Sequence, residues 1–325
     1  MTTTRTFKWG IIGPGKIAGK FATDLAMVPG AELYAVASRD IEKARAFSTE
    51  YHFKKSYGSY EELALDTEVD IIYIATPHVF HHEHTLLCLK NKKAVLCEKP
   101  FAINSRQVEE MIHAAEENKV FLMEAMWTYF LPHYQYLLDL VKSKKFGTIK
   151  ILEADFGFAA PYLPEKRLYN KVLGGGSLLD IGIYPLFAAL SLMGVPTTIK
   201  AQAKMSNTGV DESCDINLTY NNGAVAVLSS AINIKTPTIA TIKFEHAIVT
   251  LQNRFHEPTS IIINSDGEQE EINFEVTSLG YNYEAIHVQQ MLAEGRTEST
   301  IMTFQKSREL IALLDTVREK IGLIY

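Results

Sequence analysis

Phe7-Lys8-Trp9-Gly10-Ile11-Ile12-Gly13-Pro14-Gly15-Lys16-Ile17-Ala18 is the stretch that decides the fold. A short run, apolar almost throughout, stops at a glycine turn and passes into a helical pattern reaching about Val28. Strands that do not alternate are buried on both faces, as in parallel sheets covered by helices. The turn has chemistry of its own. Gly13, Gly15 and Ala18 place small residues where a tight turn and a bare backbone let a pyrophosphate approach. The free N–H groups at the helix start, over Lys16 and Ile17, would face its charge. Such a turn can also be a strand-to-helix connection without a ligand; what favours a dinucleotide is the strand–helix unit that follows.

Further apolar runs repeat the pattern at 32–38, 70–76, 93–99 and 120–126, alternating with helical segments. The expected class is α/β, with a doubly wound parallel sheet of the Rossmann type over residues 1–125. After about 150 the pattern changes: runs at 149–158, 198–206, 213–220, 223–233, 238–245, 247–252, 259–264 and 269–275 follow one another. Asn221-Asn222-Gly223 and Ser265-Asp266-Gly267 separate strands in the way hairpins require. Residues 126–325 are therefore expected to form an α+β domain on a large, mainly antiparallel open sheet. Helices are expected near 176–193, 281–293 and 303–321, the last packing back on the first domain.

Composition limits the function classes. With 325 residues, 47% hydrophobic and 22% charged, the chain can form two cored domains. A formal charge of -6 without basic stripes argues against nucleic acid as a partner. Three irregularly spaced cysteines, Cys88, Cys97 and Cys214, fit neither a disulfide framework nor a zinc site. The segment Met1-Thr2-Thr3-Thr4-Arg5-Thr6 lacks an apolar leader core, and no stretch reaches about 18 apolar residues. A cytoplasmic protein without membrane contact is expected.

The end of the second strand selects the cofactor. An acidic residue there would bind a ribose 2'-hydroxyl, whereas an arginine would pair with a 2'-phosphate. Ser38-Arg39 favours NADP(H) over NAD(H), with Asp40 able to serve merely as the cap of the next helix. Thr76-Pro77-His78 ends a core strand at the edge where ligands bind, near the nicotinamide half. His78, His81, His82 and His84 are expected to be solvated or capping histidines, since nothing completes a metal shell around them.

Two segments could move a proton. Lys99, within Glu98-Lys99-Pro100, projects from the end of a buried strand; a nearby cationic nicotinamide and apolar walls would lower its pKa and suit it to accept a hydroxyl proton. In Gly174-Gly175-Gly176-Ser177-Leu178-Leu179-Asp180-Ile181-Gly182-Ile183-Tyr184-Pro185, Asp180 and Tyr184 are four apart and share one helical face. An aspartate in an apolar helix is costly to bury without a partner. Pro185 should bend that helix.

The patterns GxGxxA, ATPxxxH, CEKP and GGGSLLDIGIYP together resemble the glucose-fructose oxidoreductase, inositol dehydrogenase and MocA family over nearly the whole chain. Met123 to Pro132, with Tyr184, is similar to its dimeric dihydrodiol dehydrogenase and xylose dehydrogenase branch. The resemblance implies a Rossmann-type domain, a second domain whose open sheet often dimerises, and a site between them. It implies Lys99 as the catalytic lysine, Glu98 as its neighbour at the cofactor, His81 among the cofactor-binding residues, Asp180 as the substrate-binding aspartate and Tyr184 as a phenolic proton donor. Trp127 and Phe158 are candidate pocket walls and equally candidate packing residues. Tyr129 stands where the branch commonly has arginine. The implied activity is hydride transfer between NADP(H) and a carbinol carbon of a sugar, polyol or cyclic diol in a homodimer. Two rivals share these motifs: an NADP(H)- or sugar-responsive binding protein without turnover, and an enzyme using nicotinamide transiently for hydrolysis or epimerisation.

Overall fold

A computed structural model of the chain describes residues 5–325; residues 1–4, on which part of the expectation for the N-terminal stretch falls, lie outside the described residues. The described chain divides into two compact units. The first comprises the residues up to Phe130 together with Thr277–Arg308, and the second comprises Leu131–Val276 and Glu309–Tyr325.

In the first unit, β1 (Phe7–Ile12), β2 (Ala31–Ala37), β3 (Lys55–Tyr57), β4 (Ile71–Ile74), β5 (Ala94–Glu98) and β6 (Leu122–Ala125) form a parallel sheet ordered β3-β2-β1-β4-β5-β6. The connecting helices are α1 (Lys16–Leu25), α2 (Ile41–Tyr51), α3 (Tyr60–Leu65), α4 (His81–Lys90) and α5 (Ser105–Asn118). Every residue of β4 and β5 is buried, the reason these strands read as continuous apolar runs. The strand order reverses beside β1, so the carboxyl ends of β1 and β4 border the crevice where such sheets bind ligands. β3 is a departure from the sequence pattern: Lys55-Ser56-Tyr57 is too short and polar to show an apolar run, and it forms an edge strand on β2.

Segment 277–308 returns to this unit. Asp24 of α1, 1% exposed, accepts the backbone N–H groups of Leu279 at 3.0 Å and Tyr281 at 2.8 Å. This seats the start of α8 (Asn282–Ala293) on α1. Beyond α8, Leu122 N–H donates to the Thr297 carbonyl at 3.2 Å, so the backbone at 297–298 bridges the outer edge of β6. α9 (Phe304–Ile321) follows.

The second unit contains α6 (Pro132–Ser143), β7 (Ile149–Gly157), α7 (Ile183–Met193) and seven further strands. These are β8 (Thr198–Met205), β9 (Asp211–Thr219), β10 (Val225–Ala231), β11 (Ala240–Phe244), β12 (Ile248–Leu251), β13 (Ile261–Ser265) and β14 (Glu268–Ile272). The eight-stranded sheet runs β14-β13-β12-β11-β7-β10-β9-β8 and is antiparallel except where β10 pairs with β7. Both expected hairpins form. At Asp266 and Gly267 the backbone takes φ values of +53° and +81°, as a type I' turn demands.

Two expectations for the segment before β8 need correction. The helix foreseen as α over 176–193 begins as a π-helical turn, Leu178–Gly182, and only then becomes α7. Pro185 falls in the first turn of α7, where a missing N–H is tolerated. An 18-residue window within Lys171–Met193 reaches a mean hydropathy of 1.5, enough by length and composition alone to cross a membrane, and most of it is buried as a core helix.

Glu284, in the first turn of α8, is fully buried, and neither carboxyl oxygen has a hydrogen-bond partner among the described residues. Burial, with Glu98 and Asp24 nearby, raises its pKa well above the ordinary value of 4.5. The folded state thus binds a proton that the unfolded chain releases above about pH 4.5. The stability associated with Glu284 is complete below that pH and declines as pH rises toward the folded pKa. Glu284→Gln should therefore gain stability relative to wild type as pH rises from 5 to 8, by about 2–4 °C in melting temperature for each kcal/mol; parallel melting curves at both pH values would contradict this.

Candidate active site

The glycine turn is built for an anion. Gly13 has φ of +89°, and a Cβ there would stand 2.8 Å from Thr76 Cγ2 and 3.0 Å from its backbone nitrogen. Only glycine suits both constraints. A Cβ on Gly15 would meet nothing within 4 Å, so the backbone before α1 borders open space. Gly15 is the N-cap without a side-chain cap, leaving the N–H groups of Lys16 and Ile17 for a ligand. Ala18 is buried. These residues fit a dinucleotide pyrophosphate.

An open cleft of about 590 Å³ lies at the ends of β2 and β4, lined by Arg39, Ser59, Tyr60, Thr76, Pro77 and Phe80 among others. The Arg39 guanidinium stands 5.8 Å over the Phe80 ring, and His84 packs against Tyr60 and Phe80. Thr76 Oγ1 meets His84 Nδ1 at 3.0 Å. Asp40 caps α2 by accepting from Glu42 N–H at 3.1 Å, while Ser38 Oγ accepts from Asp40 N–H at 3.2 Å. The acidic side chain is thus committed to its helix, and Arg39 lines the cleft.

The histidine expectation needs correction, because His78, His81 and His84 are buried rather than solvated. Buried His81 stands with Nε2 2.8 Å from the Thr76 carbonyl and Nδ1 2.8 Å from the Pro100 carbonyl. Two facing carbonyls favour a doubly protonated ring, but burial prevails and lowers its pKa to about 4. At neutral pH only one nitrogen carries a proton to donate. His81 therefore donates to one of these two carbonyls and packs between the end of β4 and the turn after β5.

That turn carries Lys99. Glu98, 5% exposed, accepts from the Tyr73 hydroxyl and, at 3.2 Å, from Lys99 N–H. The Lys99–Pro100 peptide is cis. Trp127 stacks on Tyr281 at 4.2 Å and 10°, in the same unit. Tyr129 is also buried there; its hydroxyl accepts from Lys306 Nζ at 2.7 Å.

In the second unit, Asp180 lies in the π-turn and Tyr184 in the first turn of α7. Arg167 grips Asp180 in two-pronged fashion, Nη1 to Oδ1 at 2.8 Å and Nη2 to Oδ2 at 3.2 Å. Asp180 is half-buried rather than buried, and the partner that a desolvated carboxylate requires is present. Tyr184, 6% exposed, packs at 4.7 Å from the His256 ring and 5.8 Å from Phe156. Phe158 sits 6.3 Å from Phe156. Gly182 is required because a Cβ there would stand 2.8 Å from Ser230 Oγ. Asp211, fully buried at the start of β9, accepts from Ser177 Oγ and Leu178 N–H, both at 2.7 Å, and holds the beginning of the π-turn.

Arg167 and His256 were not visible in the sequence as site residues. Each lies among other polar residues in an irregular segment, at no spacing that ties it to Asp180 or Tyr184. Asp211 had only its place at the start of a strand as a signal. Asp211→Ala should destabilise the protein by about 1–3 kcal/mol, since the buried Leu178 N–H loses its acceptor and Ser177 is left with Ser230 alone. Burial raises the Asp211 pKa to about 6 from 3.8, so the folded protein holds a proton in that window. The stability associated with Asp211 is therefore complete below pH 3.8 and declines until about pH 6. Asp211→Asn should lose this part of the pH dependence, checked by thermal melts at pH 4 and pH 7.

Residues 7–126 match the oxidoreductase family with an NAD-binding Rossmann fold, and residues 134–259 match the GFO/IDH/MocA C-terminal domain. The chain is 39% identical over 329 residues to a trans-1,2-dihydrobenzene-1,2-diol dehydrogenase of Xenopus laevis, covering 98% of this chain and 99% of that one. It is 33% identical to the Homo sapiens protein of the same name, with 98% of each covered. Among solved structures, the 3-ketoreductase KijD10 of Actinomadura kijaniata, in complex with NADP and TDP-benzene, aligns with a TM-score of 0.89 at 23% identity over 98% of both chains. The aldose-aldose oxidoreductase of Caulobacter crescentus, complexed with glycerol, aligns equally, with a TM-score of 0.89 at 23% identity over 98% of both chains. At that identity the two structures speak for the fold alone. With both of its domain families matched and its relatives aligned nearly end to end, the chain belongs to the GFO/IDH/MocA family of oxidoreductases.

Proposed function

We propose an NADP(H)-dependent dehydrogenase or reductase that acts on a carbinol carbon of a cyclic diol, sugar or polyol. The observation that carries the substrate class is the end-to-end similarity, at 33% to 39% identity, to trans-1,2-dihydrobenzene-1,2-diol dehydrogenases. The bound nicotinamide would supply or accept the hydride. The chain's own residues handle position and proton. The α1 N-terminus with Gly13 and Gly15 binds pyrophosphate, and Arg39 with Ser38 favours a 2'-phosphate over a bare ribose. Lys99 Nζ and Tyr184 Oη share the transfer of the hydroxyl proton. Asp180, held by Arg167, orients the substrate hydroxyls as an acceptor whose other lone pairs are already fixed. Trp127 and Phe158 are offered as apolar walls for the substrate ring.

We also propose a homodimer working in the cytoplasm. The dimer is supported by the outer face of the eight-stranded sheet, where Val227 and Ile248 are exposed beside half-buried Ile151, Val225 and Ile262. Such a one-sided antiparallel sheet invites a covering partner.

Nicotinamide absorbance, followed with NADP+ or NAD+ and a panel of cyclic dihydrodiols, aldoses, polyols and inositols, tests the function. One substrate class should reduce NADP+; silence in both reaction directions, with NADPH still bound, would remove the proposal. Lys99→Met should lower kcat by about 100-fold to 10,000-fold with NADPH binding nearly intact, the scale of a lost general acid–base group. Arg39→Ala should weaken NADPH binding by about 10-fold to 100-fold and spare NADH, as loss of a charge-assisted phosphate contact predicts. Equal losses for the two cofactors would reverse the NADP(H) assignment.

A further inference from the structure

Three backbone groups on the turn that carries Lys99 end on buried titratable side chains from three different elements. Lys99 N–H donates to Glu98 at 3.2 Å, the Pro100 carbonyl faces His81 Nδ1 at 2.8 Å, and Phe101 N–H donates to Glu124 Oε1 at 3.0 Å. Glu98 and His81 already belong to the proposed cofactor site. Glu124 does not. It sits on β6, only 2% exposed, and its second oxygen accepts the hydroxyl of Ser307 at 2.7 Å, from the first turn of α9. Ser307 is itself 2% exposed. A carboxylate is a costly way to hold a core together, because a neutral side chain could bond both groups with less desolvation. Its place directly beside the lysine turn calls for a reason beyond packing.

We infer that Glu124 is a positioning residue: strung between the Phe101 amide and the Ser307 hydroxyl, its carboxylate fixes the turn after Lys99 and so where the lysine amine stands. This rests on the reading of Lys99 as a proton-relay residue. Geometry of this kind matters for turnover more than for affinity, since a displacement of about 1 Å in a reacting group can cost about 100-fold in rate. Charge adds a second element. Burial pushes the Glu124 pKa up to about 7, opposed by the Ser307 and Phe101 bonds, while Glu98 raises it and Lys99 lowers it across the same turn. Cys97 on β5 is a further titratable group near it, and burial keeps that thiol protonated. Above about pH 7 the carboxylate is ionised and both bonds are charge-assisted, hence stronger. Below it, one oxygen carries a proton and the turn is held more loosely.

The test compares Glu124→Ala, Glu124→Gln, Ser307→Ala and Lys99→Met in the full chain. It reads kcat and KM per folded molecule, NADPH affinity, the pH profile of kcat/KM and hydrogen exchange at the Phe101 amide. Glu124→Ala should lower kcat by about 100-fold with NADPH affinity and KM little changed, and should speed exchange at Phe101. Glu124→Gln, which keeps an oxygen for the amide, should restore most of kcat and remove an inflection near pH 7. Ser307→Ala should lower kcat by less than Glu124→Ala. Wild-type kcat in Glu124→Ala, or an unaltered inflection in Glu124→Gln, overturns the assignment while a dead Lys99→Met leaves the lysine reading standing. Turnover surviving in Lys99→Met overturns both. Should Glu124→Ala fail to fold, unchanged kcat and pH profile in Ser307→Ala would have the same force against Glu124.

Discussion

The first unit depends on a parallel sheet dry on both faces. Strands buried above and below can carry chemistry only where they end, and this chain concentrates its polar atoms there. Thr76 and Pro77 follow β4, Glu98 closes β5 and Lys99 begins the turn beyond it. Low dielectric at those ends makes each polar contact strong and each unpaired one expensive. The consequence is visible in how fully the Lys99 turn is tied down, with Glu98 and Glu124 each accepting one backbone N–H and His81 packed against the Pro100 carbonyl.

The second unit solves a related problem differently. Asp180 and Tyr184 lie in a segment whose other side chains are nearly all apolar, so the acidic group needs a cation brought from elsewhere. Arg167 arrives from an irregular stretch, Arg167–Tyr169 being a single 3-10 turn, and its two-pronged grip fixes the carboxylate in orientation as well as charge. The π-turn beneath Asp180 relates to the same place. Gly182 lies against Ser230, and Asp211 takes the first free N–H and the Ser177 hydroxyl, so a wider helical turn is held at both ends.

The fold was largely legible because its evidence is local. Apolar runs without alternation marked the buried strands, and closely spaced runs with Asn-Gly and Asp-Gly turns marked the antiparallel sheet. β3 escaped because Lys55-Ser56-Tyr57 has no apolar pattern to read. The π-turn escaped because its cause lies in tertiary packing on Ser230 and Asp211. For the candidate site, the residues that the sequence offers are those in compact motifs: Gly13, Gly15, Arg39, Lys99, Asp180 and Tyr184. Those that matter through contacts distant in sequence were not. Glu124 is 23 residues from the amide it holds and 183 from the hydroxyl it accepts, and no periodicity encodes such separations.

The return of segment 277–308 to the first unit bears on how the protein is made. Asp24 waits for backbone groups at 279 and 281, β6 for the bridge at 297–298, and Glu124 for the hydroxyl at 307. On the ribosome these partners emerge long after the parallel sheet, at speeds of about 5–20 residues per second. The unit begun first thus stays incomplete until most of the second has emerged, and for many seconds the nascent sheet has an open edge and an uncapped acidic helix face. A chaperone that shields that edge during synthesis would therefore act on the first unit rather than on the second, whose strands β7 to β14 emerge in one uninterrupted stretch.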